Sequence, residues 1–176
     1  MRPSRTAAFL LVLALFGAAP AATSAQTPGS APDGVPEAEL RSLIDRMVRQ
    51  VNDHRAFNGV GPVRLESRLA AAAQAHADDM IRRDYFDHRG PDGRGMQDRA
   101  TAAGYPWRLI AENLGAGFSS PVATADSWMT SPAHRANMLD PDHVHIGVGY
   151  ARPPESGEGR ARYRHYWVIL LGAPAR

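Results

Sequence analysis

The sequence predicts an α+β fold in which helices cover an antiparallel sheet. Three observations lead there. Helical periodicity dominates the first half of the folded region, and strand patterns cluster in the second half. The last strand is apolar at every position from Tyr166 to Leu171. A strand without a polar face is covered on both sides, so it belongs in the middle of the sheet with helices above and below.

The first element is a leader. "MRPSRTAAFLLVLALFGAAPAATSAQ" carries two arginines, an apolar run from Ala7 to Ala19 and small residues up to Ala25. That order of a basic start, an apolar centre and a small-residue cleavage site is a secretory signal peptide, residues 1–25. The apolar run of about 13 residues is shorter than the roughly 20 a membrane-spanning helix needs. Residues 26–38 follow as a linker rich in Pro, Gly and Ser, and residues 39–174 form the folded domain. The 176-residue chain is long enough, after processing, for one domain with its own core.

From Glu37, Leu40, Leu43, Ile44, Met47, Val48 and Val51 recur at three- and four-residue spacing, and "NGVGP" stops that helix. A second helix spans Glu66 to Arg83, with Leu69, Ala73, His76, Ala77 and Met80 along one stripe and alanines that permit close packing. "DYFDHRGPDGRG" is a loop, followed by a short helix near Met96 to Ala103. "RLIAENLGAG" reads as a strand, "SSPVATADSWMTS" as a helix opened by Ser-Pro, and "HIGVGYAR" as a strand. "PPESGEGRA" turns the chain into the last strand, "YRHYWVILLGA".

Composition excludes several classes. The chain has no cysteine, so an exported domain must be held by its core without disulfides. Without its leader, which holds two arginines and no acid, the chain keeps 18 basic against 18 acidic residues. A neutral chain without a basic run does not suit nucleic acid. H-E-x-x-H, G-x-S-x-G and phosphate-binding glycine loops are all missing from the sequence.

Four places remain for chemistry. In "SPAHRANML", Ser131 can cap a short helix and Pro132 suits its first position. His134 then sits near the positive end of the helix dipole, which favours its neutral, ligand-competent form. Glu112 shares a strand face with Ile110 and Leu114, so it is either a buried acid bonded to backbone N–H groups or an arginine, or a cleft carboxylate meeting a histidine or a metal. His88 in "YFDH" is either solvated surface or a cleft group. His143 and His145, two residues apart, form a weak metal pair. His76 reads as a packed core histidine, His54 and His165 show no evident partner, and Trp128, Tyr166 and Trp167 read as core aromatics.

Taken in order, "VNDHRAFNGVGPVRLESRLAAAAQAHADDMIRRDYFDHRGPDGR", "AENLGAG", "SWMTSPAHRANML", "HIGVGYA" and "YWVILLG" resemble the bacterial branch of the CAP superfamily. That superfamily groups cysteine-rich secretory proteins, insect-venom antigens and plant pathogenesis-related proteins. The resemblance covers residues 40 to 172 and implies a three-layer α-β-α sandwich with a central antiparallel sheet and a solvent-filled cleft. In many relatives the cleft presents two histidines and two acids, some of which bind zinc or another divalent ion. These positions fall here on His88, Glu112 and His134. The second acid is missing: its place is taken by Ser131, and the nearest carboxylate, Asp126, lies over a turn earlier. Ala111 stands where the family usually has glycine.

The resemblance leaves function open, because fold does not dictate it. The leading expectation is an extracellular or periplasmic binding module whose cleft takes a divalent metal, Zn2+ or another cation, or a small polar ligand. The alternatives are a metal-assisted hydrolase, with His88 and His134 on zinc and Glu112 as ligand or general base, and a structural cell-envelope domain with a vestigial cleft. The expected partner is a small ligand or a cell-envelope component. The mature chain is expected to be a monomer, without nucleic acid and without a stable membrane anchor.

Overall fold

The structure is a computed structural model that describes residues 35–154 and 161–175. The expected leader, residues 26–34 of the expected linker and most of the "PPESGEGRA" connection lie outside them. Helix α1 is Glu37–Phe57, strand β1 Arg64–Leu65, helix α2 Ser67–Arg82 and helix α3 Met96–Ala102. Strand β2 is Trp107–Ala116, helix α4 Pro121–Thr130, helix α5 Pro132–Leu139, strand β3 His145–Ala151 and strand β4 Tyr166–Pro174.

Local signals explain most boundaries. The Glu66 carboxylate accepts the Leu69 amide at 2.9 Å and caps α2. Ser120 accepts the Ala123 amide and Pro121 opens α4, as the Ser-Pro pair predicts. At α5, Ser131 holds the cap position and its carbonyl accepts the Arg135 amide at 2.8 Å, but its side chain makes no capping bond.

The sheet order is β1-β3-β4-β2, so β4 is internal, as its two apolar faces demand. Trp167, Ile169 and Leu171 of β4 pack with Leu43, Met47 and Val51 of α1 and Trp128 of α4. Tyr166, Val168 and Leu170 point the other way, onto Leu69, Ala73 and Met80 of α2. One strand thus separates two cores, which makes the three-layer α-β-α sandwich.

The sheet is mixed rather than purely antiparallel. β2 and β3 run antiparallel to β4, but β1 pairs parallel with β3 through Arg64↔His145 and Leu65↔Ile146. Two residues are too few to show a strand period, and their partners lie some eighty positions away, so no local signal announces β1.

Helix α2 lies directly on β3. A Cβ built on Gly147 would fall 2.1 Å from the Leu69 carbonyl carbon, and one on Gly149 would fall 2.4 Å from that of Ala73. Glycine in the strand and alanine in the helix therefore set the layer spacing together. This close seat brings the C-terminal half of α2, with His76, alongside the edge strand β2.

Candidate functional site

Strand β2 organises the site by alternation. Glu112 pairs with Leu170 and faces the α2–α3 layer, while Asn113 pairs with Ile169 and faces the opposite layer. Two consecutive residues on an edge strand can therefore hold elements from both sides of the sheet.

On the first side, the Glu112 side chain has no solvent exposure. His88, in the loop after α2, donates from Nδ1 to its Oε1 at 2.8 Å, and Arg99 of α3 donates from Nη2 to its Oε2 at 2.6 Å. Arg99 also binds the His88 carbonyl at 3.1 Å, so it holds the loop as well as the carboxylate. The Glu112 alternatives left open by sequence converge in part: the acid is bonded to an arginine and also meets a histidine. With Nδ1 committed to Glu112, His88 keeps Nε2 for solvent, and its side chain is 56% exposed. The hydrogen bond to Glu112 raises the His88 pKa above the ordinary histidine value, against the opposing effect of burial.

On the other side, Asn113 is fully buried and donates from Nδ2 to the His134 carbonyl at 3.0 Å. Asn137 ties the same turn back, donating to Asn113 Oδ1 at 2.9 Å and to the Glu112 carbonyl at 3.3 Å. The first turn of α5 is thereby fastened to β2, and His134 comes near enough to His88 to feel its charge. Burial first, and that charge second, lower the His134 pKa. The structure thus supports the neutral state expected for His134.

His76 is a packed histidine, as its stripe predicts, but it also borders the site. It is 1% exposed, and its Nε2 lies 3.1 Å from the Asp87 carbonyl and 4.0 Å from Glu112 Oε1. Both neighbours are acceptors, which favours the tautomer with the proton on Nε2. Burial lowers its pKa, while the Glu112 charge works the other way. Tyr85 stands beside its Nδ1 at 3.3 Å and donates to Asp79 at 2.7 Å. Burial pushes the Tyr85 hydroxyl up to about 12.

The remaining histidines go elsewhere. His143 binds the Asn137 carbonyl through Nδ1 and His145 bonds to the Tyr105 hydroxyl, so the expected weak pair has two separate environments. His54 lies 2.8 Å from Asp126, which leaves that carboxylate on the α1 face and not in the cleft. His165 bonds to the Tyr150 hydroxyl at 2.7 Å. No local signal in the sequence singles out Arg99, Asn113 or Asn137. A carboxylate on a covered face signals that some cation must reach it, yet nothing local says which arginine does.

Among the described residues, no group of three or more His, Cys, Asp or Glu side chains is arranged to hold a metal ion. The donors that fit a cation are two imidazoles, His88 Nε2 and His134. Both Glu112 oxygens are already bonded, and a guanidinium stands beside one of them.

The profile of the cysteine-rich secretory protein family, CAP, matches residues 48–171. The chain belongs to this family. It is 34% identical over 136 residues to the uncharacterized protein YkwD of Bacillus subtilis, a match covering 77% of this chain and 50% of that protein. It is 26% identical over 98 residues to the uncharacterized membrane protein YlbC of the same organism, covering 56% of this chain and 28% of that one. The chain thus spans half or less of the curated relatives it matches. Among solved structures, an extracellular SCP-domain protein of Bacillus anthracis superposes with a TM-score of 0.66 at 22% identity, covering 82% of this chain and 45% of that one. An outer surface protein of Borrelia burgdorferi superposes with a TM-score of 0.65 at 16% identity, covering 73% and 90%. At these identities the superpositions show a shared fold. No described helix is long and apolar enough to cross a membrane.

Proposed function

We propose that this CAP-domain chain is an exported binding module whose His88–His134 cleft takes a small polar ligand, a divalent cation being the simplest. The observation that carries this reading is the state of Glu112. Its side chain has no exposure, and its oxygens are bonded to His88 and Arg99. A carboxylate so placed fixes the histidine tautomer and orients the ring, the role acids play behind metal-bound imidazoles. His88 Nε2 and the neutral His134 are then the groups that meet the ligand. A cation held by two imidazoles would supply a positive charge at which an anionic ligand could dock.

The same observation weighs against the hydrolase alternative. A general base has to reach the water it activates, within hydrogen-bond distance or through one further water. Glu112 faces its two cationic partners instead. Export rests on the leader at residues 1–25, and the extracellular and outer-surface character named for two structural neighbours agrees with it.

Calorimetric titration of the mature chain with zinc, at pH 7.5 and 5.5, tests the reading. Two imidazole donors give micromolar or weaker affinity, which falls as pH drops, beginning above about 6.5 because the bond to Glu112 raises the pKa of His88 and a ligating nitrogen must be deprotonated. Alanine at His88 or at His134 should remove the binding. Titrations of both variants that match wild type, or no zinc uptake by wild type, would refute the proposal.

A further inference from the structure

Behind the His88–Glu112 pair, between α2 and α3, lies a separate cavity of about 480 Å³. That volume falls within the usual range of small-molecule sites. Its walls carry the methyl groups of Ala71 and Ala75 from α2 and Ala102 from α3, all three exposed, with Ala103 beside them. Its rim carries Arg82, Arg83, Arg94 and Arg99.

These arginines outnumber the acids that answer them. Arg82 and Arg83 pair with Asp79, Arg83 and Arg94 with Asp92, and Arg99 with Glu112. Among the described residues, four guanidiniums thus meet three carboxylates, an excess of one positive charge around an apolar slot. Arg99 adds spare donor capacity, since its Nε is buried and has no hydrogen-bond partner. A buried donor without an acceptor is unfavourable, so this wall holds hydrogen-bonding capacity that its own described residues leave unused.

From the cavity, its alanine walls and this charge surplus, we infer a second binding site that takes a small aromatic monocarboxylate. The carboxylate would meet the arginine fork in bidentate fashion. The aromatic body would lie against the alanine methyls, with guanidinium planes able to stack on its face. The cavity lies beside the His88–Glu112 pair, since Arg99 and His76, which line it, both lie against Glu112.

Amide NMR of the mature chain titrated with benzoate, benzyl alcohol and acetate tests the inference. Benzoate should shift the amides of Ala71, Ala75, Ala102 and Ala103, and bind roughly tenfold more tightly than either the neutral alcohol or acetate. Ala75→Trp should fill the slot and abolish binding. Arg94→Gln, on an exposed side chain, should weaken binding at low salt by several-fold and decide the matter if the tryptophan variant does not fold. Benzyl alcohol or acetate binding as tightly as benzoate would overturn the proposal. So would shifts confined to other surfaces, the absence of benzoate binding, or variants that bind like wild type.

Discussion

Glu112→Gln is the sharpest perturbation of this protein, because one atom's change alters both stability and the titration of the cleft. The substitution keeps the shape but removes the charge that Arg99 and His88 share. Arg99 is only 13% exposed, so its guanidinium would be left largely buried beside a neutral amide. Removing one member of a buried ion pair costs about 3–5 kcal/mol. The glutamine oxygen still accepts one bond, and Arg99 keeps the carbonyls of His88 and Arg94. The lower end, about 3 kcal/mol, is therefore expected, a substantial part of the roughly 5–15 kcal/mol of a typical domain. Urea melts at pH 7.5 measure it. A double variant, Glu112→Gln with Arg99→Gln, should lose less than the two single losses added together, because neither charge is then stranded. In the same variant the His88 pKa, raised chiefly by its bond to Glu112, should fall back towards about 6.5, read from the NMR titration of its ring protons. A loss below about 1 kcal/mol together with an unmoved His88 titration would show that Glu112 neither anchors Arg99 nor orients His88.

Trp167→Ala should cost about 3–5 kcal/mol in denaturant melts, because the ring is fully buried between α1 and α4 and its Nε1 donates to the Phe118 carbonyl at 2.8 Å. Gly149→Ala should destabilise by about 2 kcal/mol or more, since the new methyl meets the α2 backbone, which cannot swing aside as a side chain can. Stability should fall between pH 7.5 and 5.5: the folded-state pKa values of His76, His134, His143 and His165 are lowered, so the unfolded chain takes up more protons as pH drops through about 6.5. His88 acts in the opposite sense, contributing stability below that pH and losing it as pH rises through its raised pKa, so His88→Ala should steepen the acid loss seen in melts at the two pH values. N-terminal sequencing of exported protein should find a start near Gln26, and an intact Met1 on membrane-bound protein would contradict the leader assignment.

Most of the elements, β1 excepted, and their layering are legible in the chain's own pattern. Periodicity located α1 and α2, Ser-Pro pairs placed the starts of α4 and α5, and the unbroken apolar run of β4 put that strand inside the sheet. These signals are local, since each is written in residues a few positions apart. The sequence also marked Glu112 as an acid that needs a partner, because a carboxylate on a covered face is costly alone. Which partner reaches it is a matter of tertiary packing. Arg99 and His88 reach Glu112 from thirteen and twenty-four positions away, and His134 arrives from the other face of the sheet because Asn113 fastens its turn. The parallel pairing of β1 was equally silent, being two residues matched to a distant strand. The roles of Asp126, turned towards His54, and of His76, set beside Glu112, likewise depend on which helix faces lie against the edge strand. Such choices rest on packing distances between layers, set here by Gly147 and Gly149 against the backbone of α2, and no window along the chain contains them.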